Sequence, residues 1–424
     1  MALWAYGLLL ASLLLGAAAQ DPLSRATNLA DHRAALQSGV CSKLYHHYTE
    51  LHANVLSGKA PQKFLVHVSP SFGLADRLTG LVAAFYYALL TQRALLIAPH
   101  PLPYELIYDQ PSFNWTTALP HDSVLSPVRW PVVNRMCSSC GPQVPAPEVD
   151  PRMNCAVCLD DGKAVAYMNW VTVNTVRQWH MTHNISDTYD GVHTLYYSSN
   201  YGVSVSLFHN AMHQRQLYAL GLRPSTAFGC ALNMMFFPKP ETFAVVLEEM
   251  NQLLLEPLVI GVQIRTNDDH MGGRDLPDDA INGYKIMLDC AASFEQHLGR
   301  GPLNAKFFVV SDSAIVRQRA MEQWYPGKVI VYLRTKPVHI NNSGKDDLHG
   351  SRLAAAEHWL FGMTDFQIVH WWSGYGRTAA MRGMREMSIH AWAEVPTECK
   401  QDNQQSVWQV GEGNSGVRRM LAEL

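Results

Sequence analysis

The segment that best defines the fold is residues 63–97, KFLVHVSPSFGLADRLTGLVAAFYYALLTQRALLI. It begins with a short apolar run at 64–68, which is typical of a buried strand, and a turn follows at 69–73. From Leu74 the apolar residues recur at helical spacing, and a second apolar run ends the segment at 94–97. The segment therefore predicts a strand–helix–strand unit.

The carboxyl half repeats this alternation of strands and helices. The predicted strands are 258–264, 307–310, 329–332 and 366–369, and the predicted helices are about 280–297, 314–324 and 352–363, with a further short helix after the last strand. Short apolar strands that alternate with helices indicate a parallel sheet covered on both faces. Residues 100–220, which are aromatic and punctuated by Pro, show no clear period.

We therefore predict an α/β protein with two Rossmann-like domains that face a cleft. The amino-terminal domain is assigned to 20–235 and the carboxyl-terminal domain to 236–424, including a polar tail from Gln401. The length of 424 residues agrees with two or three domains at roughly 150 residues each. Hydrophobic residues make up 48% and charged residues 16%, which excludes a disordered chain. The chain has a formal charge of −3 and so lacks the net positive charge of a general nucleic-acid binder. No nucleic-acid partner is predicted.

The first 19 residues predict entry into the secretory pathway. Residues 2–19 are apolar and end in small residues, which is typical of a cleaved signal peptide; the absence of an amino-terminal positive charge leaves an uncleaved membrane anchor as the alternative. Three glycosylation sequons, at Asn114, Asn184 and Asn341, fit a lumenal or secreted chain.

The eight cysteines also bear on the compartment. Cys137, Cys140, Cys155 and Cys158 form two C-x-x-C pairs, a spacing that suits either structural zinc or disulfides. An oxidising lumen favours disulfides, so we predict an insertion at about 137–158 that is closed by disulfide bonds, with structural zinc as the alternative. Neither interpretation makes these cysteines catalytic.

Ligands of doubly wound sheets bind beyond the carboxyl ends of the strands, and four loops at such positions are candidates. The first holds Gly73, Asp76 and Arg77 before the predicted helix. Its backbone N–H groups are suited to phosphate, because the first turn of a helix leaves them unpaired. The alternative is an ordinary turn capped by Asp76.

The second and third loops follow the strands that end at 264 and 310. Arg265 either grips two phosphate oxygens of a departing diphosphate or forms a salt bridge with Asp268 or Asp269. Asp312 and Ser313 either hold a ribose or base edge or cap the next helix.

The fourth loop offers an anion cradle at Ser373, Gly376 and Arg377, with a hydroxyl, backbone donors and a cation before a helix. Other nucleotide and hydrolase motifs are missing from the sequence: it contains no G-x-G-x-x-G after a first strand, no P-loop, no H-E-x-x-H and no G-x-S-x-G. Nicotinamide, P-loop, zincin and serine-hydrolase functions are therefore disfavoured.

Residues 73–97 resemble a signature of the plant xyloglucan fucosyltransferases. Further segments resemble that family in the same order, and together they span roughly 63–393, with 120–210 largely unmatched. They are 106–111, 221–225, 260–265 and 356–379.

The resemblance implies a GT-B enzyme that transfers fucose from GDP-fucose, with inversion and without metal, to a polysaccharide or glycoprotein glycan in the Golgi. It implies that the carboxyl-terminal domain binds the nucleotide sugar and that the amino-terminal domain binds the acceptor. It assigns Arg265 to the diphosphate and Ser373 with Gly376 to the nucleotide. Gly73 and Arg77 are implied to approach the donor across the cleft.

Asp76 stands where the family has an amide. A carboxylate near a diphosphate repels it, unless Asp76 faces the acceptor and acts as general base. Arg377 is a cation that the family pattern lacks. Two alternatives follow: a catalytically degenerate lumenal protein that binds glycan or nucleotide, and an extracellular interaction protein built around the insertion at 137–158.

Overall fold

The computed structural model describes residues 22–98, 104–116, 154–160, 163–171, 176–266, 277–298, 304–338, 340, 347–370, 373–384 and 389–392. The strands are β1 Phe64–His67, β2 Ala94–Ile97, β3 Tyr108–Asp109, β4 Asn154–Asp160, β5 Lys163–Asn169, β6 Thr194–Ser198, β7 Phe237–Pro238, β8 Val259–Ile264, β9 Lys306–Ser311, β10 Val329–Ile330, β11 Phe366–His370 and β12 Ile389–Trp392.

Helices surround these strands. The α-helices are α1 Pro22–Arg25, α2 Leu29–Ser38, α3 Ser42–Leu56, α4 Leu74–Leu90, α5 Tyr104–Ile107, α6 Val176–Thr182, α7 Ile185–Thr188, α8 Ser204–Phe208, α9 Gln214–Ala219, α10 Pro224–Met235, α11 Pro240–Phe243, α12 Leu247–Leu255, α13 Asp278–Gly283, α14 Lys285–Leu298, α15 Ala314–Arg319, α16 Leu348–Met363 and α17 Gly374–Arg382. A 3₁₀ turn, Ala244–Val246, precedes α12, and a π-helical turn, Ala320–Trp324, follows α15.

The first sheet has the order β2-β1-β6-β5-β4. β1 lies parallel to both β2 and β6, β5 is parallel to β6, and β4 is antiparallel to β5. β2 and β6 lie on opposite sides of β1. The chain therefore continues from β1 to one side of the sheet and builds the rest of the sheet on the other side. The carboxyl ends of β1 and β6 therefore border a crevice, which is a preferred ligand position in such sheets.

The second sheet has the order β10-β9-β8-β11-β12, and all its strands are parallel. In chain order this is 3-2-1-4-5, the arrangement of a Rossmann sheet, and its connections reverse direction between β8 and β11. Strand β8 is buried along its whole length, as expected for the centre of a parallel sheet. The second crevice therefore lies beyond Ile264 and His370.

One apolar core joins the two sheets. Every residue of α4 except Asp76 is buried, and this helix lies against α10 and α17. A Cβ placed on Gly80 would lie 1.8 Å from the Ser199 carbonyl oxygen, so α4 directly contacts the backbone that follows β6. Helices from both halves of the chain thus pack together, and the division into domains at residue 235 stays a prediction.

Two long-range links attach the amino-terminal helices. Cys41 forms a disulfide with Cys230, which connects the start of α3 to α10. Arg25 forms a 2.8 Å ion pair with Asp365, whose other carboxylate oxygen accepts a hydrogen bond from the Val259 backbone N–H. Residues 22–56 are therefore fastened to both halves of the chain.

The predicted strand–helix–strand unit at 63–97 and the α/β class with parallel sheets are confirmed. Three predicted boundaries were wrong. The helix at 280–297 is divided into α13 and α14, the helix at 314–324 changes to a π-helical turn after Arg319, and the strand at 329–332 ends at Ile330. Hydrophobic periodicity does not report such breaks, because a π-turn or a kink leaves the same face apolar.

The cysteine and glycosylation predictions are only partly covered by the described residues. Cys137, Cys140 and Asn341 lie outside them, while Cys155 and Cys158 lie on β4, so the choice between disulfides and zinc stays open. Asn114 is exposed, and Asn184 caps α7 by accepting a hydrogen bond from Ser186 N–H. The predicted signal peptide at 1–19 also lies outside. Among the described helices, none is long and apolar enough to span a membrane.

Candidate active site

A cavity of about 420 Å³ lies where the crevices of the two sheets meet. It is lined from the amino-terminal half by the start of α4 and by Asn200 and Tyr201 beyond β6, and from the carboxyl-terminal half by the loops after β8, β9 and β11. The cavity thus lies at the carboxyl ends of both sets of parallel strands, where ligands of such sheets bind.

Two helix N-termini border this cavity. Gly73 is the N-cap of α4 and Ser373 is the N-cap of α17, and both line the cavity. Within the described residues neither cap provides a side-chain hydrogen bond to its helix. A Cβ placed on Gly374 would lie 3.2 Å from the Ala75 Cβ, so the two helix starts are in contact. Their N–H groups and positive dipole ends therefore favour an anion in this cavity.

Arg265 follows β8 and lines the cavity. Its Nη1 donates to Asp312 Oδ2 at 2.9 Å, and its side chain keeps 27% of its surface exposed, against 3% for Asp312. The second oxygen of Asp312 accepts hydrogen bonds from Thr266 N–H at 2.8 Å and from Thr266 Oγ1 at 3.0 Å. Asp312 therefore joins the loops after β8 and β9 and holds the guanidinium at the cavity wall.

Arg317 and Glu357 form a buried ion pair at the cavity wall. Nη1 lies 2.6 Å from Oε1 and Nη2 lies 2.9 Å from Oε2, and the side chains are 2% and 4% exposed. Arg317 also donates to the carbonyl oxygens of Ser311 and Tyr332. The pair thus connects α15 and α16 to the end of β9, directly before Asp312.

Beside this pair the cavity wall is mainly apolar, formed by Pro337, Val338, Ile340, Leu353 and Ala354. The cavity therefore has a cationic side, with Arg265, Arg377 and the two helix N-termini, and an apolar side next to a buried carboxylate.

His370 lies at the end of β11, close to the charged side chains of the site. Burial lowers the pKa of His370; Asp312 opposes this shift, and Arg265 and Arg377 reinforce it. The imidazole is therefore neutral near pH 7. Its backbone N–H donates to Gln263 Oε1 at 3.2 Å, which links β11 to β8 next to the cavity.

Most of the predicted site residues meet at this cavity. The cavity is lined by Gly73, Asp76, Arg265, Asp312, Ser373 and Arg377, and not by Arg77, Ser313 or Gly376. Arg77 is buried, and its Nε donates to the Phe72 carbonyl oxygen at 2.7 Å, so it shapes the loop before α4. A Cβ on Gly376 would lie 2.8 Å from Gln263 Oε1, so this glycine permits close packing on β8.

Two of the alternative interpretations concerned helix caps. Ser313 does cap α15, since its hydroxyl accepts a hydrogen bond from Val316 N–H. Asp76 was expected as the cap in the ordinary-turn interpretation, but the N-cap of α4 is Gly73 and Asp76 lies in the first turn. Asp268 and Asp269, the predicted alternative partners of Arg265, lie outside the described residues.

Sequence reasoning did not select Arg317, Glu357, Gln263, Asn200 or Tyr201 as site residues. Gln263 and Glu357 fall inside segments that resemble the fucosyltransferase family, so the resemblance was a usable signal for those two. Arg317 lies within a predicted helix, where a cation is normally exposed. Its burial depends on Glu357, which lies 40 positions further along the chain.

No protein-family model matches the chain, and no curated protein is detectably similar in sequence. Solved structures do match it. An Arabidopsis thaliana FUT1 variant in complex with GDP has a TM-score of 0.58 and 18% identity, over 87% of this chain and 82% of that chain. The fucosyltransferase NodZ from Bradyrhizobium has a TM-score of 0.41 and 15% identity, over 75% and 93% of the two chains. The chain therefore has the fold of FUT1, and the predicted resemblance to the plant fucosyltransferases is confirmed for the fold.

Proposed function

We propose that this protein is a glycosyltransferase that transfers fucose from GDP-fucose to a glycan, with inversion and without a metal. The observation that carries the proposal is the cavity itself, where Arg265, Arg377 and two helix N-termini converge at the crevices of both sheets. The fold shared with FUT1, which was solved with GDP, supports the choice of nucleotide. The volume of about 420 Å³ lies within the range of about 300–1,000 Å³ usual for small-molecule sites.

The cationic side of the cavity suits the diphosphate of the donor. During transfer the bond between the sugar carbon and the diphosphate oxygen breaks, and its electron pair leaves with GDP. Arg265, Arg377 and the first turns of α4 and α17 line the cavity, and in this scheme they stabilise the charge that develops on the leaving GDP without magnesium. The apolar side, with Val338 and Leu353, is suited to the base and ribose.

The acceptor then approaches from the amino-terminal half, beside Asn200 and Tyr201. We propose Asp76 as the general base, because its carboxylate lies in the cavity wall at the first turn of α4. It takes the proton from the acceptor hydroxyl as that oxygen bonds to the sugar carbon on the face opposite the diphosphate. In this scheme Gly73 contributes a backbone donor and Ser373 its hydroxyl, because the Ser373 N–H donates to the His370 carbonyl oxygen. Arg77, Ser313 and Gly376 shape the loops around them.

The secretory pathway, and the Golgi within it, is the proposed location. The Cys41–Cys230 disulfide supports an oxidising compartment, since disulfides are rare in the cytosol.

Among the described residues no group of three or more His, Cys, Asp or Glu side chains is arranged to hold a metal ion.

Nucleotide release by the purified protein tests the function directly. The assay presents GDP- and UDP-sugars with plant-type glycan acceptors, with and without EDTA. Release of GDP from GDP-fucose in EDTA is the expected result. Absence of both turnover and GDP binding overturns the proposal, and GDP binding without turnover identifies the catalytically degenerate alternative.

Arg265→Ala should abolish most of the transfer while the protein stays folded. Loss of a charge-stabilising donor costs roughly 100- to 1,000-fold in kcat. Arg265→Lys is the matched control, because it keeps the charge and loses the planar fork, and we expect an intermediate loss. Kinetics of GDP release and a thermal unfolding curve measure both properties. Wild-type kcat in Arg265→Ala would remove this residue from the diphosphate site.

Asp76→Asn should lower kcat by about 100-fold or more, because the amide has the shape of the carboxylate but cannot accept the acceptor proton. GDP binding should be retained, because in this scheme Asp76 faces the acceptor rather than the diphosphate. The measurements are turnover and GDP titration by calorimetry. Full turnover by the variant rules out Asp76 as the base.

A further inference from the structure

The geometry points to Asp312 as the residue that positions Arg265, rather than as a contact to the ribose or base; we propose this role on the basis of the function given above. Asp312 uses both carboxylate oxygens within the protein. Oδ2 accepts from Arg265 Nη1 at 2.9 Å, and Oδ1 accepts from Thr266 N–H and Oγ1 at 2.8 and 3.0 Å. With 3% of its side chain exposed, the carboxylate offers little surface to a ligand.

The position of this carboxylate is itself fixed. Strands β8 and β9 are parallel and in register up to the pair Ile264 and Ser311, so Thr266 and Asp312 leave the sheet side by side. The Ser311 carbonyl accepts a 2.7 Å hydrogen bond from the buried Arg317 Nε, which anchors the loop one residue before Asp312. Because its anchor is rigid, Asp312 can define one direction for the guanidinium.

The fixed contact between Asp312 and Arg265 has a functional consequence at this site. An arginine side chain has many rotamers, so a guanidinium without a fixed partner samples many positions. Arg265 keeps 27% of its side chain exposed at the cavity wall while Nη1 is held by Asp312. The guanidinium of Arg265 is therefore oriented before the diphosphate binds. This orientation matters most at the transition state, where charge develops at a defined place.

Two variants separate positioning from a merely structural role. In Asp312→Asn the amide oxygen stays on Thr266, because the backbone N–H of Thr266 requires an acceptor, and the NH₂ group then faces Arg265 without a bond to it. Asp278→Asn is the matched control, because it makes the same change in an exposed carboxylate that pairs with Arg319 and does not line the cavity. We expect kcat for GDP-fucose to fall at least tenfold in Asp312→Asn, with less than a threefold change in the Kd for GDP. Asp278→Asn should stay within twofold of wild type in both.

A readout that does not need turnover is the rate at which phenylglyoxal modifies Arg265, followed by peptide mass spectrometry. Release of the guanidinium should raise this rate at least threefold in Asp312→Asn, whereas the rate in Asp278→Asn should equal that of wild type. Asp312→Glu, which keeps the charge but moves the carboxylate by one methylene, should show the same kinetic defect and covers the case in which Asp312→Asn does not fold.

The outcomes distinguish this inference from the function on which it rests. If wild type neither turns over GDP-fucose nor binds GDP, the proposed function fails, and the modification rates still decide whether Asp312 holds Arg265. Equal kcat in wild type and Asp312→Asn, an equal loss in Asp278→Asn, or an unchanged modification rate of Arg265 in Asp312→Asn overturns the positioning role.

Discussion

Lowering the pH from 7 towards 5 should strongly destabilise this protein, because four histidines are buried in the neutral form. His32, His52, His180 and His358 are at most 2% exposed. Burial lowers the pKa of His32 and His358 to about 3, and of His52 and His180 to about 4. One ring nitrogen of each histidine has a hydrogen-bond partner; for His52 it is the Leu95 carbonyl oxygen, which accepts from Nε2 at 3.0 Å.

The direction of the effect follows from proton uptake. In the unfolded chain these histidines bind protons below a pKa of about 6.5, whereas in the folded protein they stay neutral until about pH 3–4. The unfolded state therefore gains protons between about pH 6.5 and 4, and the free energy of unfolding falls as the pH falls through that window. Averaged over this window, each histidine contributes about 1 kcal/mol per pH unit, so four contribute roughly 4 kcal/mol per pH unit. The total stability of a typical protein is only about 5–15 kcal/mol.

Urea unfolding at a series of pH values measures this dependence. His52→Gln keeps an N–H donor for Leu95 but cannot titrate, so it should reduce the slope by about 1 kcal/mol per pH unit. His46→Gln is the matched control on the same helix, because His46 is exposed, and its slope should equal that of wild type. A free energy of unfolding that stays constant between pH 7 and 5 contradicts the prediction.

Breaking the buried pair of Arg317 and Glu357 is the second large expected effect. Arg317→Met leaves the Glu357 carboxylate without its partner, and Glu357→Gln leaves a buried guanidinium without its counter-charge. Removal of one member of a buried pair costs about 3–5 kcal/mol. Burial already raises the pKa of Glu357 despite the neighbouring guanidinium, so the carboxyl should protonate once Arg317 is removed.

The double variant Arg317→Met/Glu357→Gln should be no less stable than the worse single variant, since it leaves no unpaired buried charge. Its remaining cost is the loss of hydrogen bonds to the Ser311 and Tyr332 carbonyl oxygens. Urea denaturation of all four proteins gives the coupling energy, expected at about 2 kcal/mol or more. Glu248→Gln, in an exposed pair with Arg334, is the control and should change stability far less. Additive effects of the two single changes would contradict this account.

Local sequence was sufficient to predict most strands and helices, and to predict which residues lie near one another at the site. Apolar runs and helical spacing predicted the unit at 63–97 and the alternation after residue 258, since both depend on the burial of one short stretch at a time. Parallel strands then bring their carboxyl ends to one edge. For that reason Gly73, Arg265, Asp312 and Ser373 could be placed near one another before their contacts were seen.

Only the tertiary structure decided which of these side chains face the cavity and which hold others in place. Arg77, predicted to approach the donor, donates to the Phe72 carbonyl oxygen, and Asp312, predicted to bind a ribose or base edge, forms an ion pair with Arg265. The roles of both residues at the donor stay predictions. The Arg317–Glu357 pair joins residues 40 positions apart. Periodicity reports whether a position is buried, but the partner of a buried charge is chosen by the packing of distant segments, because a charge removed from water must find its counter-charge wherever the fold brings one.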